Sequence, residues 1–407
     1  MAQDSLAQDS LAQTAIHLAP GFQIDEITPI RRPSPPAPPL GVLSRFTGTF
    51  AGTGFNMIFR PNSGPPTTTS FPNPVTPPPP TPPSENVLEL NLTTETLSFS
   101  APLGNVPNRG LEAQNDIFLN GVPYVQAISD VTDAATGRAD GRPQPIHFEP
   151  GLWMHVPATR TDPELGSSLV RMASIPHGTT VNAQGPEPAG SINGPPNIPP
   201  VNITPFVIGS SPPHFIPFVS QTAANRDTPR IPQDLTKFIA AGTITQAILN
   251  DPNQVLRDAI AGQTITNTIV FTVSTTPAPP EFGGGAANIA FLMGNAAATT
   301  PNANSVRMTA TFWIETVEHV ITIPIFRLGD PPLRIPATQA RPGQPAPVFH
   351  VEPPRDIPEE ITIRVSVTQI QYSQVVFLNF AGLTWPHVSV ATLVPSTPVP
   401  VPPSAWV

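Results

Sequence analysis

The chain has 407 residues, long enough for one large or two medium domains, and 39% of its side chains are hydrophobic, enough for a sizeable core. Charged residues make up only 12%, the net charge is −9 and Lys237 is the one lysine, so no basic stripe exists for nucleic acid or an anionic membrane surface. Cysteine is absent, which excludes disulfides, thiolate metal sites and cysteine nucleophiles, while 60 prolines exclude long helices almost everywhere.

The first residues repeat AQDSL in tandem, and a short helix there would align Leu6, Leu11 and Ile16. This start lacks a basic n-region and a continuous apolar h-region, so no secretory signal is expected and a cytoplasmic location is favoured. No apolar run approaches the roughly 20 residues that span a bilayer, so no membrane insertion is expected. Proline-rich runs at 32–40, 61–84, 184–217, 276–285 and 395–402 read as extended spacers and surface loops.

Strand signals of period two fill the intervals. They begin at 43–59. Residues 87–92 and 96–99 read as a hairpin turning through Thr93–Glu95, with Leu88, Leu90 and Leu92 on one face. Further strands are expected at 117–128, 145–156 and 168–175. Residues 231–262 are the one helical stretch, with Asp234 as a cap candidate, Gly242 as a stop and Pro252 as a break. Beyond it, Ile265, Ile269, Phe271 and Val273 share a face, as do Met308, Ala310, Phe312 and Ile314. Strands at 286–293, 319–325, 361–367, 373–380 and 387–393 complete the series. The fold class is all-β and mainly antiparallel, with about ten or more strands and one short helical insertion. A closed barrel and a two-layer sandwich both fit.

Four pieces carry the candidate chemistry. FTGTFAGTGFNMIFRP at 46–61 places Gly48, Gly52 and Gly54 where a bent first strand needs close backbone approach. IHFEPGLWMHVP at 146–157 puts His147 and Glu149 on one strand face, as a general acid–base pair or as a hydrogen-bonded brace. VRMASIPHGTTVNAQG at 170–185 is a strand, a turn and a returning strand. GLTWPHVSVATL at 382–393 ends in a strand whose one face carries His387, Ser389, Ala391 and Leu393. Small Ser389 and Ala391 leave room beside His387 for something planar. Alternatively, His387 merely starts the strand, capped by Trp385 at a barrel rim.

In this order the four pieces resemble the nitrobindin family of small calycin-type barrels, with Phe50 standing for that family's tryptophan and Pro150 for its threonine. The whole chain also resembles a proline-rich bacterial and fungal family sometimes named haem-binding. The resemblance implies an enlarged calycin or lipocalin-like antiparallel barrel that binds haem b, with His387 as the iron ligand. Around it, Trp385, Ser389, His147 and Glu149 are the expected cofactor-site residues. The implied function is the handling of a small diatomic or a reactive nitrogen or oxygen species. The expected layout is an arm at 1–40, a barrel at 41–394 and a tail at 395–407. The stretch at about 187–360, without counterpart in the family, is an insertion or a second β subdomain.

Two further functions fit the residues. One is a cofactor-free barrel binding an apolar small molecule such as a lipid, terpenoid or pigment, oriented by Tyr124, Tyr372 or Glu315. The other is a structural or interaction module with a filled barrel, with homo-oligomers favoured by the proline arms. His155, His177, His214, His319 and His350 lack metal-ligand spacing. The glycine-rich FGGGAANIAFLMG at 282–294 opens a strand without the Lys-Ser/Thr of a phosphate loop. No triad order supports nucleophilic catalysis, and whether the chain is an enzyme stays open.

Overall fold

The computed structural model describes residues 36–60, 87–110, 115–160, 164–175, 178–228, 230–278, 283–289, 303–341, 343–380 and 382–406. The AQDSL repeat, most of the proline arm, the run at 61–84 and His177 lie outside the described residues. Residues Ala37–Val407 group as one compact unit.

Ten antiparallel strands close into a barrel. They are β1 (Gly48–Arg60), β2 (Val87–Phe99), β3 (Ile117–Asp130), β4 (Gln144–Val156), β5 (Ser168–Ile175), β6 (Thr179–Pro186), β7 (Thr264–Ser274), β8 (Asn304–Ile323), β9 (Ile361–Phe380) and β10 (Leu383–Pro395). Each pairs with the next in sequence, and β10 returns to pair with β1, from Phe50↔Pro395 to Met57↔Val388. The thinnest seam is β6–β7, joined through Ser274↔Gln184 alone. Closure on β1 requires its glycines: a Cβ on Gly52 would lie 2.0 Å from Thr392 O, and one on Gly54 2.2 Å from Val390 O.

Several expectations are corrected by longer strands. Residues 87–99 form one strand, not a hairpin, and 361–380 form one strand, not two. Thr93-Thr94-Glu95 contains no glycine, asparagine or proline to turn the chain, and threonine favours extension. The 187–360 stretch is not an appendage, because it supplies the staves β7 and β8. The far ends of β8 and β9 run past the barrel as a ribbon, paired from His319↔Val365 to Ile323↔Ile361. That ribbon shares a separate apolar cluster with a small three-stranded sheet (Leu333–Pro336, Val348–Val351 and Val399–Pro400).

The predicted helical stretch resolves into α1 (Thr236–Ala241), α2 (Gln246–Asn250) and α3 (Gln254–Ile260). Gly242 ends α1 in the left-handed region at φ 73°, and Pro252 separates α2 from α3. Phe238, Ile248, Leu249 and Leu256 from these helices cover the outside of the barrel over Phe55, Met57 and Phe59 of β1 and Leu88, Leu90 and Leu92 of β2. The leucine face of β2 therefore looks outward, under the helices. Among the described residues no helix is long and apolar enough to cross a membrane.

Candidate functional site

One end of the barrel is solid. Phe46, Phe50, Phe99, Trp153, Phe271 and Phe312 fill it, with Phe271 and Phe312 stacked at 5.4 Å and Trp153 edge-on to both. The short 3-10 turn Gly41–Arg45 plugs this end with Val42 and Leu43. Eight staves are just filled by side chains, so ten leave surplus volume, and here it gathers at the other end.

Between the two ends lies a buried polar layer. Arg171 on β5 is 3% exposed. Its Nη2 donates to Glu149 Oε1 at 2.6 Å, its Nε to the Tyr124 hydroxyl at 2.8 Å, and its Nη1 to Gln374 Oε1 at 2.7 Å. Tyr124 in turn donates to Glu149. This is possible because Gly151 stands directly across from Tyr124; a Cβ there would fall 2.4 Å from the tyrosine ring. Beside this group, Glu95 accepts from the Tyr372 hydroxyl at 2.6 Å and from Gln126 Nε2 at 2.7 Å.

The two acids differ sharply. Burial opposes charge on Glu149, yet Arg171, His147 and Tyr124 outweigh it and hold the carboxyl down at about 2. Burial raises Glu95 to about 7, because the Tyr372 and Gln126 hydrogen bonds offset only part of that penalty. One carboxylate is thus matched to the layer's single guanidinium, and the second is not.

Above this layer opens a cavity of about 540 Å³. Its walls are largely aliphatic, from Ile58, Ile128, Ile146, Ile175, Val181 and Val376, interrupted by discrete polar groups. The size and lining fall within the range of small-molecule sites. His387 and Ser389 both face it from β10, while Ala391 and Leu393 on the same face continue into the solid core. His147 faces it from β4. In the ring of ten staves, β10 and β4 are four apart one way and six the other, so the two histidines stand on nearly opposite walls.

The two imidazoles have opposite chemistry. His147 Nε2 lies 3.2 Å from Glu149 Oε2; an ionised carboxylate only accepts, so this nitrogen carries the proton and donates. His387 Nε2 accepts from Asn56 Nδ2 at 2.8 Å, and Asn56 also donates to Ser389 Oγ at 2.8 Å. Of the pair, His387 directs an Nε2 lone pair toward the cavity wall.

Other expected site residues lie elsewhere. Glu149 sits beneath the cavity, in the Arg171 network. Trp385 does not line the cavity. It is fully buried, stacked on Phe380 at 4.5 Å, with Nε1 donating to Phe380 O at 2.9 Å. Phe59, Phe218 and Phe380 enclose the indole, and its N–H is satisfied by the backbone, which leaves no edge of it for a ligand. Glu315 faces outward, since Ile314 takes the inward position of β8; burial raises it to about 8, and Gln369 donates to it at 2.6 Å. Tyr372 lines the cavity floor and Tyr124 lies below it.

Arg171, Glu95, Gln126, Gln374 and Asn56 were not singled out from sequence. Arg171 left a signal, because in SLVRMASI it shares strand parity with Leu169 and Ala173, where a solvated arginine would not sit. No group of three or more metal-ligating side chains occurs among the described residues.

Among solved structures, the chain is similar to the crystal structure of Rv2717c from M. tuberculosis, at 10% identity and a TM-score of 0.31, over 88% of this chain and 96% of that one. No family model matches the sequence, and no curated protein matches it. The functional reading therefore rests on the cavity itself.

Proposed function

We propose that this chain is a small-molecule binding protein that holds a mostly apolar ligand in the open end of its barrel, with His387 as a polar anchor. The observation that carries the reading is the cavity of about 540 Å³, aliphatic over much of its wall and closed below by a polar layer and a solid aromatic core. A filled structural module would not maintain such a space. Organic extraction of the purified protein followed by mass spectrometry tests this directly. A bound apolar compound, released in stoichiometric amount and retaken by the stripped protein, is the expected result. A protein that carries nothing and takes up no apolar probe overturns it.

A second reading is favoured by a specific observation. His387 offers Nε2 as an acceptor, with Ser389 and Ala391 beside it, and Asn56 keeps Ser389 as a partner if it gives up the imidazole. These residues suit an axial ligand for haem b, the cofactor that the sequence resemblance implies. When bound, haem would supply an iron site for a small diatomic or a reactive nitrogen or oxygen species. In that reading His387 holds the iron, Asn56 and Ser389 border it, and His147 stays committed to Glu149. Protein produced with haem supply would show a Soret band that disappears in His387→Ala. Absence of the band after attempted reconstitution leaves the cofactor-free reading alone.

A further inference from the structure

Gln374 lines the cavity one rung deeper than His387, across from Ser389 in the β9–β10 register. Its amide can be oriented without ambiguity. A guanidinium only donates, so the atom 2.7 Å from Arg171 Nη1 is the carbonyl oxygen. Arg171 is itself fixed by Glu149 and Tyr124. The carboxamide nitrogen is left on the cavity side, and among the described residues it has no hydrogen-bond partner. The neighbouring Gln126 is different: its Oε1 accepts from Arg171, and its Nε2 is shared between Glu95 and Tyr372. The floor therefore presents one uncommitted donor, held rigidly in place.

The charges nearby restrict what that donor can meet. Glu95 and Glu149 stand behind the floor, against Arg171 as the one buried cation of the layer, which is net negative whenever Glu95 is ionised. An anionic ligand head would face that surplus; an uncharged carbonyl oxygen would not. We propose that Gln374 is the inner anchor of the cavity, donating to the uncharged carbonyl oxygen of an apolar ketone, aldehyde, ester or amide. Arg171 is a positioning residue, acting through Gln374 without touching the ligand. This rests on the cavity being the ligand site.

The test uses three related naphthalene probes with the full chain: 6-propionyl-2-dimethylaminonaphthalene, its acyl-free parent, and the matching 2-carboxylate. Fluorescence titration gives affinities, and infrared difference spectra give the ketone C=O stretch. The ketone is expected to bind about tenfold tighter than either companion, as one good hydrogen bond allows, with its C=O stretch lowered on binding. Gln374→Leu, close in volume, is expected to erase the tenfold advantage and the stretch shift while leaving the acyl-free probe unchanged. Arg171→Lys frees the amide to turn and is expected to split the C=O band. Unchanged ketone affinity and stretch in Gln374→Leu would overturn the assignment while the cavity reading stands. Failure of both neutral probes to bind the wild-type chain would remove the cavity reading and this proposal together.

Discussion

The two ends of the barrel are built from the same staves by opposite rules. At the solid end the large apolar side chains point inward: Phe50 on β1, Leu97 and Phe99 on β2, Leu393 on β10. At the open end of those same strands they point outward: Phe55, Met57 and Phe59, Leu88, Leu90 and Leu92, Val388 and Val390. Outward apolar residues are stable there because α1–α3 cover them. The inward positions at that end are thereby released from core packing. They hold Asn56 on β1, Glu89 and Asn91 on β2, and His387 and Ser389 on β10. The helical cover stabilises the open end from outside, so the interior can stay hollow and carry polar groups on this part of its wall. Apolar packing and the cavity's polar groups are divided between the two faces of one wall.

The boundary between the two ends is where the comparison breaks most easily. Replacing Arg171 by Met would leave Glu149 buried without its cation, a change worth about 3–5 kcal/mol. Urea unfolding of Arg171→Met should show that loss, and adding Glu149→Gln to the same chain should recover part of it. If the single variant is as stable as wild type, the polar layer does not separate the two ends. Next comes the solid end itself. Trp153→Ala removes the ring at the centre of the aromatic packing and is expected to cost about 3 kcal/mol or more. Val376→Ala, on the cavity wall, opens onto existing space and should cost about 1 kcal/mol. Equal losses at the two sites would mean that both ends are packed alike.

Glu95 supplies a pH test. Its folded value of about 7 lies above the 4.5 of an exposed glutamate, so between those values the folded chain holds the proton more tightly than the unfolded chain. Glu95 should therefore make stability fall as pH rises from about 4.5 to about 7, by an amount on the order of 3 kcal/mol, and Glu315, raised to about 8, adds a fall of the same sign that continues to about pH 8. Glu95→Gln keeps an acceptor for Gln126 and should remove the Glu95 part of this slope, leaving that of Glu315. The gain over wild type would be largest at pH 8 and would vanish below about pH 4. Glu149 has the opposite sign: held at about 2, it adds stability above 4.5 that is lost as pH falls toward 2. A wild-type curve that is level from pH 5 to pH 8 would show that Glu95 does not lie in the dry layer described above.

This division also explains what could be read from the sequence. Long alternating runs such as 308–314 gave correct strands and a correct inward face, because one side of the wall is apolar throughout that segment. In β2 the apolar parity changes from even at Leu88–Leu92 to odd at Leu97–Phe99. That change imitates a turn, and the hairpin expectation followed from it. Period-two patterns report which face is buried, and here burial moves from one face to the other along a single strand. His387 and Ser389 were legible because they share parity with Ala391 and Leu393. Gln374 was not, since nothing local in QYSQVV reveals that an arginine two hundred residues earlier turns its amide.

The smallest expected effect separates binding from stability most cleanly. His387→Ala removes a half-buried side chain that lines the cavity, and one of the imidazole's partners, Asn56 Nδ2, retains Ser389 Oγ. The hydrogen freed on Asn56 faces a cavity roomy and polar enough for water to replace the imidazole. The change in unfolding free energy should therefore stay below about 1 kcal/mol, far from the Trp153→Ala value. Ligand affinity should nevertheless fall, because the anchor at the mouth is gone while the floor donor remains. A thermal melt and a probe titration on the same sample measure both quantities. If His387→Ala destabilises the fold as much as Trp153→Ala, the imidazole is part of the scaffold, and the open end is not specialised for binding.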